Sequence, residues 1–190
     1  DEPTRARLLN MLGVNYDILE QYDEALKFYR RCLSLQRSQE DTDAISRVLG
    51  NIGVVYSRVG DEARALRHLQ EAIQLGQQSN TETGRLARHT LNAAISLHRL
   101  NRCEEATATL DIAERYARHA GHTHTLAYIL VNRSDFLLKS GARDAALEAL
   151  QAAMVTSTKL PNLRSMLHYK IGCLLRASDC PAAIAIVQGG

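Results

Sequence analysis

Apolar positions along this chain fall three and four apart in short blocks, the spacing that lines one face of a helix, and each block ends at a small or turn-forming residue. The clearest block runs from Leu49 to Ala72. Leu49, Ile52, Gly53 and Tyr56 make one stripe, Gly60 and Asp61 interrupt it, and Ala65, Leu69 and Ala72 make a second. Gly at 60 suits the left-handed residue that closes a helix, and the Asp61 carboxylate suits the cap that opens the next. This pattern predicts two antiparallel helices joined by a tight turn.

The same order recurs on both sides. Leu9, Leu12, Gly13 and Tyr16 repeat the first stripe, and Ala25, Tyr29 and Cys32 repeat the second. Further on come Ala93, Ala94 and Leu97, with Asn101 in place of the turn Gly, then Ala106, Leu110 and Ala113. A fourth block has Leu130, Ser134 and Leu137, Gly141 as the turn, and Ala146, Leu150 and Ala153. Pro161 pre-sets the first turn of a fifth first helix carrying Leu167, Ile171 and Leu174. A last short helix is expected from Pro181, with Ala183 in the small-residue place.

Gly13 to Gly53 is 40 residues, Gly53 to Ala94 is 41, and Ala94 to Ser134 is 40. Small side chains at these four places let the two helices of a pair cross closely. The order Leu-Gly, Tyr, then Ala with an aromatic or Leu resembles the tetratricopeptide repeat, with a period about six residues longer than the ordinary 34. It is similar to the longer variant found in kinesin light chain and bacterial regulatory proteins. The resemblance implies an all-α fold, a right-handed superhelical solenoid of stacked antiparallel helix pairs with about four and a half to five repeats. The expected organisation is one solenoid domain over 1–190, with repeats near 4–40, 41–80, 81–121, 122–160 and 161–188, excised from a longer protein.

Composition agrees with the helical reading, since Trp is absent, Phe occurs twice and Pro three times, while helix formers abound. The net charge of +2 gives no electrostatic case for nucleic-acid binding. No apolar run approaches the roughly 18 residues that span a bilayer, so no membrane partner is expected. Four cysteines, at 32, 103, 173 and 180, form no CxxC pair, and Cys32 takes a small buried position of the repeat. A reducing, cytoplasmic location is the expectation.

One set of residues recurs without a packing reason. Asn51, Asn92 and Asn132 each stand two positions before the small residue, and Arg58, Arg99 and Lys139 stand five positions after it. Residues seven apart share a helix face, here one rotated from the core stripe. In the family that this chain resembles, Asn at this place lines a concave groove and holds an extended peptide by its main chain, which implies Asn51, Asn92 and Asn132 as binding residues. Repeat one departs, with Met11 at the matching place and Asn10 one position earlier. An Asn amide can pair with both the N–H and the C=O of a peptide unit. The cations beside it favour an acidic ligand. The alternative readings are amides that hydrogen-bond between repeats and cations that complement helix C-termini.

His119, His122 and His124 cluster in one turn without a Cys or acidic residue nearby to complete a metal set, and are read as polar turn residues. No nucleophile elbow and no Gly-rich phosphate loop is present, so neither enzymatic activity nor a cofactor is expected. The expected function is a protein–protein interaction scaffold that binds a peptide or protein segment in its groove, as the regulatory module of a larger bacterial signalling protein. The alternative is a homo-oligomerisation module that self-associates through its C-terminal end and dimerises an attached output domain.

Overall fold

A computed structural model describes residues 1–79, 81–157 and 160–176. Among these residues there are nine helices and no strand: α1 (Glu2–Ile18), α2 (Tyr22–Ser38), α3 (Thr42–Arg58), α4 (Glu62–Gln78), α5 (Thr83–Arg99), α6 (Cys103–His119), α7 (Thr123–Lys139), α8 (Arg143–Thr156) and α9 (Pro161–Arg176). Seven of them, α1 to α7, are 17 residues long, about 25 Å at 1.5 Å per residue. The fold is an all-α array of helix pairs of the tetratricopeptide type. The expected last helix, with Pro181 and Ala183, lies outside the described residues.

Turn chemistry sets the repeat. Glu20, Glu40, Gly60, Asn101, Gly121 and Gly141 all have positive φ, at intervals that mirror the helix starts. Asp61 caps α4 as its sequence suggests, accepting from the Arg64 amide at 3.0 Å, and Asp41 caps α3 through the Ala44 amide at 2.9 Å.

Two compact units divide the chain, one ending at Ala113 and one beginning at Glu114. In the first, α1 packs on α2 and α3 on α4, with α2 against α3 and α4 against α5. Its core includes Tyr29, Cys32, Val48, Leu49, Ile52, Val55, Ala65 and Ala72. Helices within a pair cross at small residues. The Cys32 thiol donates to the Ala6 carbonyl at 3.2 Å, and the Ser46 hydroxyl donates to the Ala72 carbonyl at 2.8 Å. Positions 6 and 32 match 46 and 72 by the 40-residue period, so the same crossing is bonded from opposite helices. In the second unit α7 packs on α8 and α8 on α9, around Ala127, Leu130, Leu150, Ala153, Leu163, Leu167 and Ile171.

The small positions serve as expected. A Cβ at Gly53 would lie 2.6 Å from Leu69 Cγ and 3.2 Å from the Ala65 carbonyl oxygen, and one at Gly13 would lie 2.5 Å from the Tyr29 ring. Ala94 and Ser134 are fully buried. One stripe residue corrects the sequence reading: Leu12 is 39% exposed. It lies on the side of α1 that neither α2 nor α3 covers. Tyr16 is half-buried and stacks on Phe28 with ring centres 5.1 Å apart. No described helix is long and apolar enough to cross a membrane.

Candidate functional site

The face of interest is built by α1, α3 and α5, whose neighbouring residues lie 41 or 42 apart in sequence. Asn51 donates from Nδ2 to Asn10 Oδ1 at 3.2 Å, joining α3 to α1. Arg58, seven residues further along α3, donates from Nη1 to the Asp17 carboxylate at 3.0 Å and to the Asp17 carbonyl at 3.3 Å. Arg99 on α5 reaches Glu62 at 2.7 Å and the Ser57 hydroxyl at 3.0 Å. Each guanidinium is about half exposed, above a carboxylate that is almost buried. Burial pushes the Asp17 carboxyl above its ordinary range, and Arg58 pulls it back. The guanidinium offsets part of the cost of burying that carboxylate.

Arg58, Asn92 and Arg99 line one cleft of about 260 Å³ between α3 and α5, together with Val54, Ser57 and Ile95. Asn10 and Asn51 form an amide pair one helix further over. Asn132 and Lys139 are on α7, in the second unit. There Asn132 donates from Nδ2 to the Tyr128 carbonyl one turn earlier at 2.8 Å, which turns its amide back along its own helix. Ion pairs to the preceding repeat were not foreseen for Arg58 and Arg99. They follow from the register, which sets each Arg beside an acidic residue flanking the turn inside the neighbouring helix pair.

Comparison with known proteins fixes what this architecture is. Residues 4–78 match the tetratricopeptide repeat family model, and residues 78–140 match that of anaphase-promoting complex subunit 5. Over residues 4–78 the chain is thus similar to tetratricopeptide repeat proteins. BtubC (BKLC) from P. vanneervenii is 18% identical, with a TM-score of 0.83 over 95% of this chain and 76% of that one. The kinesin light chain TPR-like repeats of Podosopora anserina are 13% identical, with a TM-score of 0.75 over 98% of this chain and 93% of that one. The Rap conjugation gene regulator of plasmid pLS20, solved in complex with the Phr* peptide, is 17% identical, with a TM-score of 0.77 over 94% of this chain. The chain spans about half the length of that regulator, 50%. At these identities the likeness is one of fold. No curated protein matches the sequence.

Within this tetratricopeptide array, several polar residues are placed where sequence patterning gives no signal. His89 on α5 is buried against the bare backbone of Gly50 on α3, where a Cβ would come within 2.0 Å of the imidazole. Burial, with Arg88 and Arg85 nearby, holds its pKa down to about 4, so the ring is neutral at pH 7. Asp43 takes two bonds from Arg85 Nη1, at 2.6 and 2.7 Å, and one from Thr81. Those bonds hold its carboxyl below the usual carboxylate range. In the turn before α7, the His122 ring bonds the Thr125 hydroxyl at 2.6 Å, and the His124 ring lies 5.0 Å from that of Tyr128. Among the described residues no group of three His, Cys, Asp or Glu is arranged to hold a metal ion.

Proposed function

We propose that this array is a protein-interaction scaffold whose first-helix face receives an extended peptide or protein segment, with no catalysis by this chain. The carrying observation is the α3–α5 cleft, where Arg58, Asn92 and Arg99 converge beside the apolar side chains of Val54 and Ile95. An amide between two cations can read a main-chain unit while the cations favour an acidic neighbour, and Val54 and Ile95 offer contact to an apolar side chain. Helices in contact lie about 8–10 Å apart and an extended chain rises about 3.3 Å per residue, so the Asn51 and Asn92 positions suit ligand residues about three apart. The Rap regulator, a relative in fold, was solved holding a peptide, which fits this reading.

We read the chain as the sensory part of a larger cytoplasmic signalling protein. On α7, Lys139 would supply a cation, and the Asn132 amide would join it only by leaving the Tyr128 carbonyl. A second reading, pairing with another copy, draws on the exposed apolar row of α1, with Leu8, Met11, Leu12 and Ile18, continued by Leu19 just after the helix. Light scattering that finds a monomer at every concentration removes it.

The primary test is selection from a displayed library of random peptides on the folded protein and on a variant combining Asn51→Ala and Asn92→Ala. We expect enrichment of peptides that bind the variant at least about tenfold more weakly, with both proteins equally helical. Equal binding by the folded variant, or no enrichment on the parent, would overturn the reading.

A further inference from the structure

A second cavity, of about 520 Å³, opens where α1, the end of α2 and the start of α3 meet. Arg7, Asn10, Gln36, Gln39, Asp41 and Arg47 line it. Three of these residues bring buried polar atoms that have no hydrogen-bond partner within the protein: Gln36 Oε1, Gln39 Nε2 and Arg47 Nε. Gln36 is only 4% exposed. Buried polar groups are paired in the great majority of cases and an unmet one is destabilising, so three around one cavity call for a common partner.

The donor and acceptor set defines that partner. Gln39 Nε2 and Arg47 Nε can only donate, and Arg7 adds a second guanidinium, so these groups ask for oxygen acceptors and a negative charge. The one carboxylate in the lining, Asp41, already caps α3 through the Ala44 amide. Gln36 Oε1 can only accept, so it asks for an N–H. A group with a carboxylate next to an amide N–H meets all of these demands, and an anion without a hydrogen-bond donor of its own does not. We infer that this cavity is a binding site for a carboxylate carried on a peptide, either its terminal carboxyl group or an Asp or Glu side chain, held by Arg7 and Arg47 with the adjoining N–H on Gln36. The site rests on the peptide-binding reading and extends it, because Asn10 lines the cavity and bonds Asn51 of the first-helix face.

The test is nitrogen-15 NMR of the Arg47 Nε–H and Gln side-chain amides during titration. The probes are acetyl-Gly-Ala as the free acid, the same peptide as its amide, acetyl-Gly-Asp-Gly amide, and inorganic phosphate. We expect saturating shifts at millimolar concentration with the free acid or with the Asp peptide, and binding of the uncharged amide at least about tenfold weaker. The peptide that binds identifies the source of the carboxylate. Equal binding of the uncharged amide, a response to phosphate alone, or no shift up to about 10 mM of any probe would overturn the inference.

Gln36→Leu removes the unmet acceptor and keeps the volume. It should melt no lower than the parent and bind the probe about tenfold more weakly, whereas a folded Gln36→Leu protein that binds unchanged contradicts the site. Asn92→Ala, in the α3–α5 cleft, should leave the probe's binding intact while weakening library peptides. Failure of the cleft reading and failure of this site are therefore separately visible.

Discussion

Leu8 and Leu12 of α1 and Val48 and Ile52 of α3 occupy the same repeat positions 40 residues apart, yet Leu8 and Leu12 are 54% and 39% exposed while Val48 and Ile52 are 0% and 2% exposed. The residue types are alike and the helices equally long. The difference is packing: α3 lies between α1–α2 and α4–α5, whereas among the described helices α1 packs chiefly on α2 and slightly on α3. Burial at these positions is thus supplied by the neighbouring repeat, as expected of an architecture in which each unit completes its neighbour's core. The joints between first helices differ too. Asn10 and Asn51 join α1 to α3 as exchangeable amides, while α5 meets α3 through the buried His89 ring over Gly50.

The largest effect should come from truncating one member of the matched pair. Ile52→Ala should cost about 2–5 kcal/mol, and Leu12→Ala less than about 1 kcal/mol, by denaturant unfolding. Equal losses would mean that α1's outer face is covered in solution.

Acid should act next, most strongly at the α3–α5 joint, with a smaller contribution from His68 on α4, whose pKa burial also lowers. His89 has a pKa of about 4 when folded against an ordinary 6.5. As pH falls through 6.5 the unfolded chain takes up a proton that the folded chain refuses. Stability is therefore lost progressively down to about pH 4, by about 3 kcal/mol in all. A His89→Leu variant should flatten that part of the stability–pH profile, and an unchanged slope would show that the ring is not the source.

Gly53→Ala should cost about 1–3 kcal/mol, because the Ala65 backbone cannot swing aside as a side chain can. The smallest effect is that of Arg58→Gln, about 0–1 kcal/mol at neutral pH and less in high salt, since the guanidinium is half exposed.

The fold was legible because its demands are local. Gly13, Gly53, Ala94 and Ser134 mark the close crossings, and Gly60, Asn101 and Gly141 mark left-handed turns in the sequence itself. Glu20 and Glu40 take the same backbone conformation without advertising it, since Glu has no special preference there. For the candidate site, the grouping of some residues was legible and their partners were not. Arg58, Asn92 and Arg99 meet at one cleft, but their acidic partners Asp17 and Glu62 emerge only when the repeats are laid in register. The exposure of Leu12, the burial of His89 and the gathering of Gln36, Gln39 and Arg47 left no local trace. Each depends on which repeat lies alongside, and Gln and Arg are ordinarily surface residues.

The most direct measurement is the nitrogen-15 side-chain amide spectrum of the protein with a library-selected peptide added. If the first-helix face is the binding surface, the Asn51 and Asn92 amide signals should shift and saturate together with the peptide's own backbone amides. Shifts confined to the separate cleft formed by Leu66, Ile73, Leu97 and Ile112, with Asn51 and Asn92 unmoved, would contradict it.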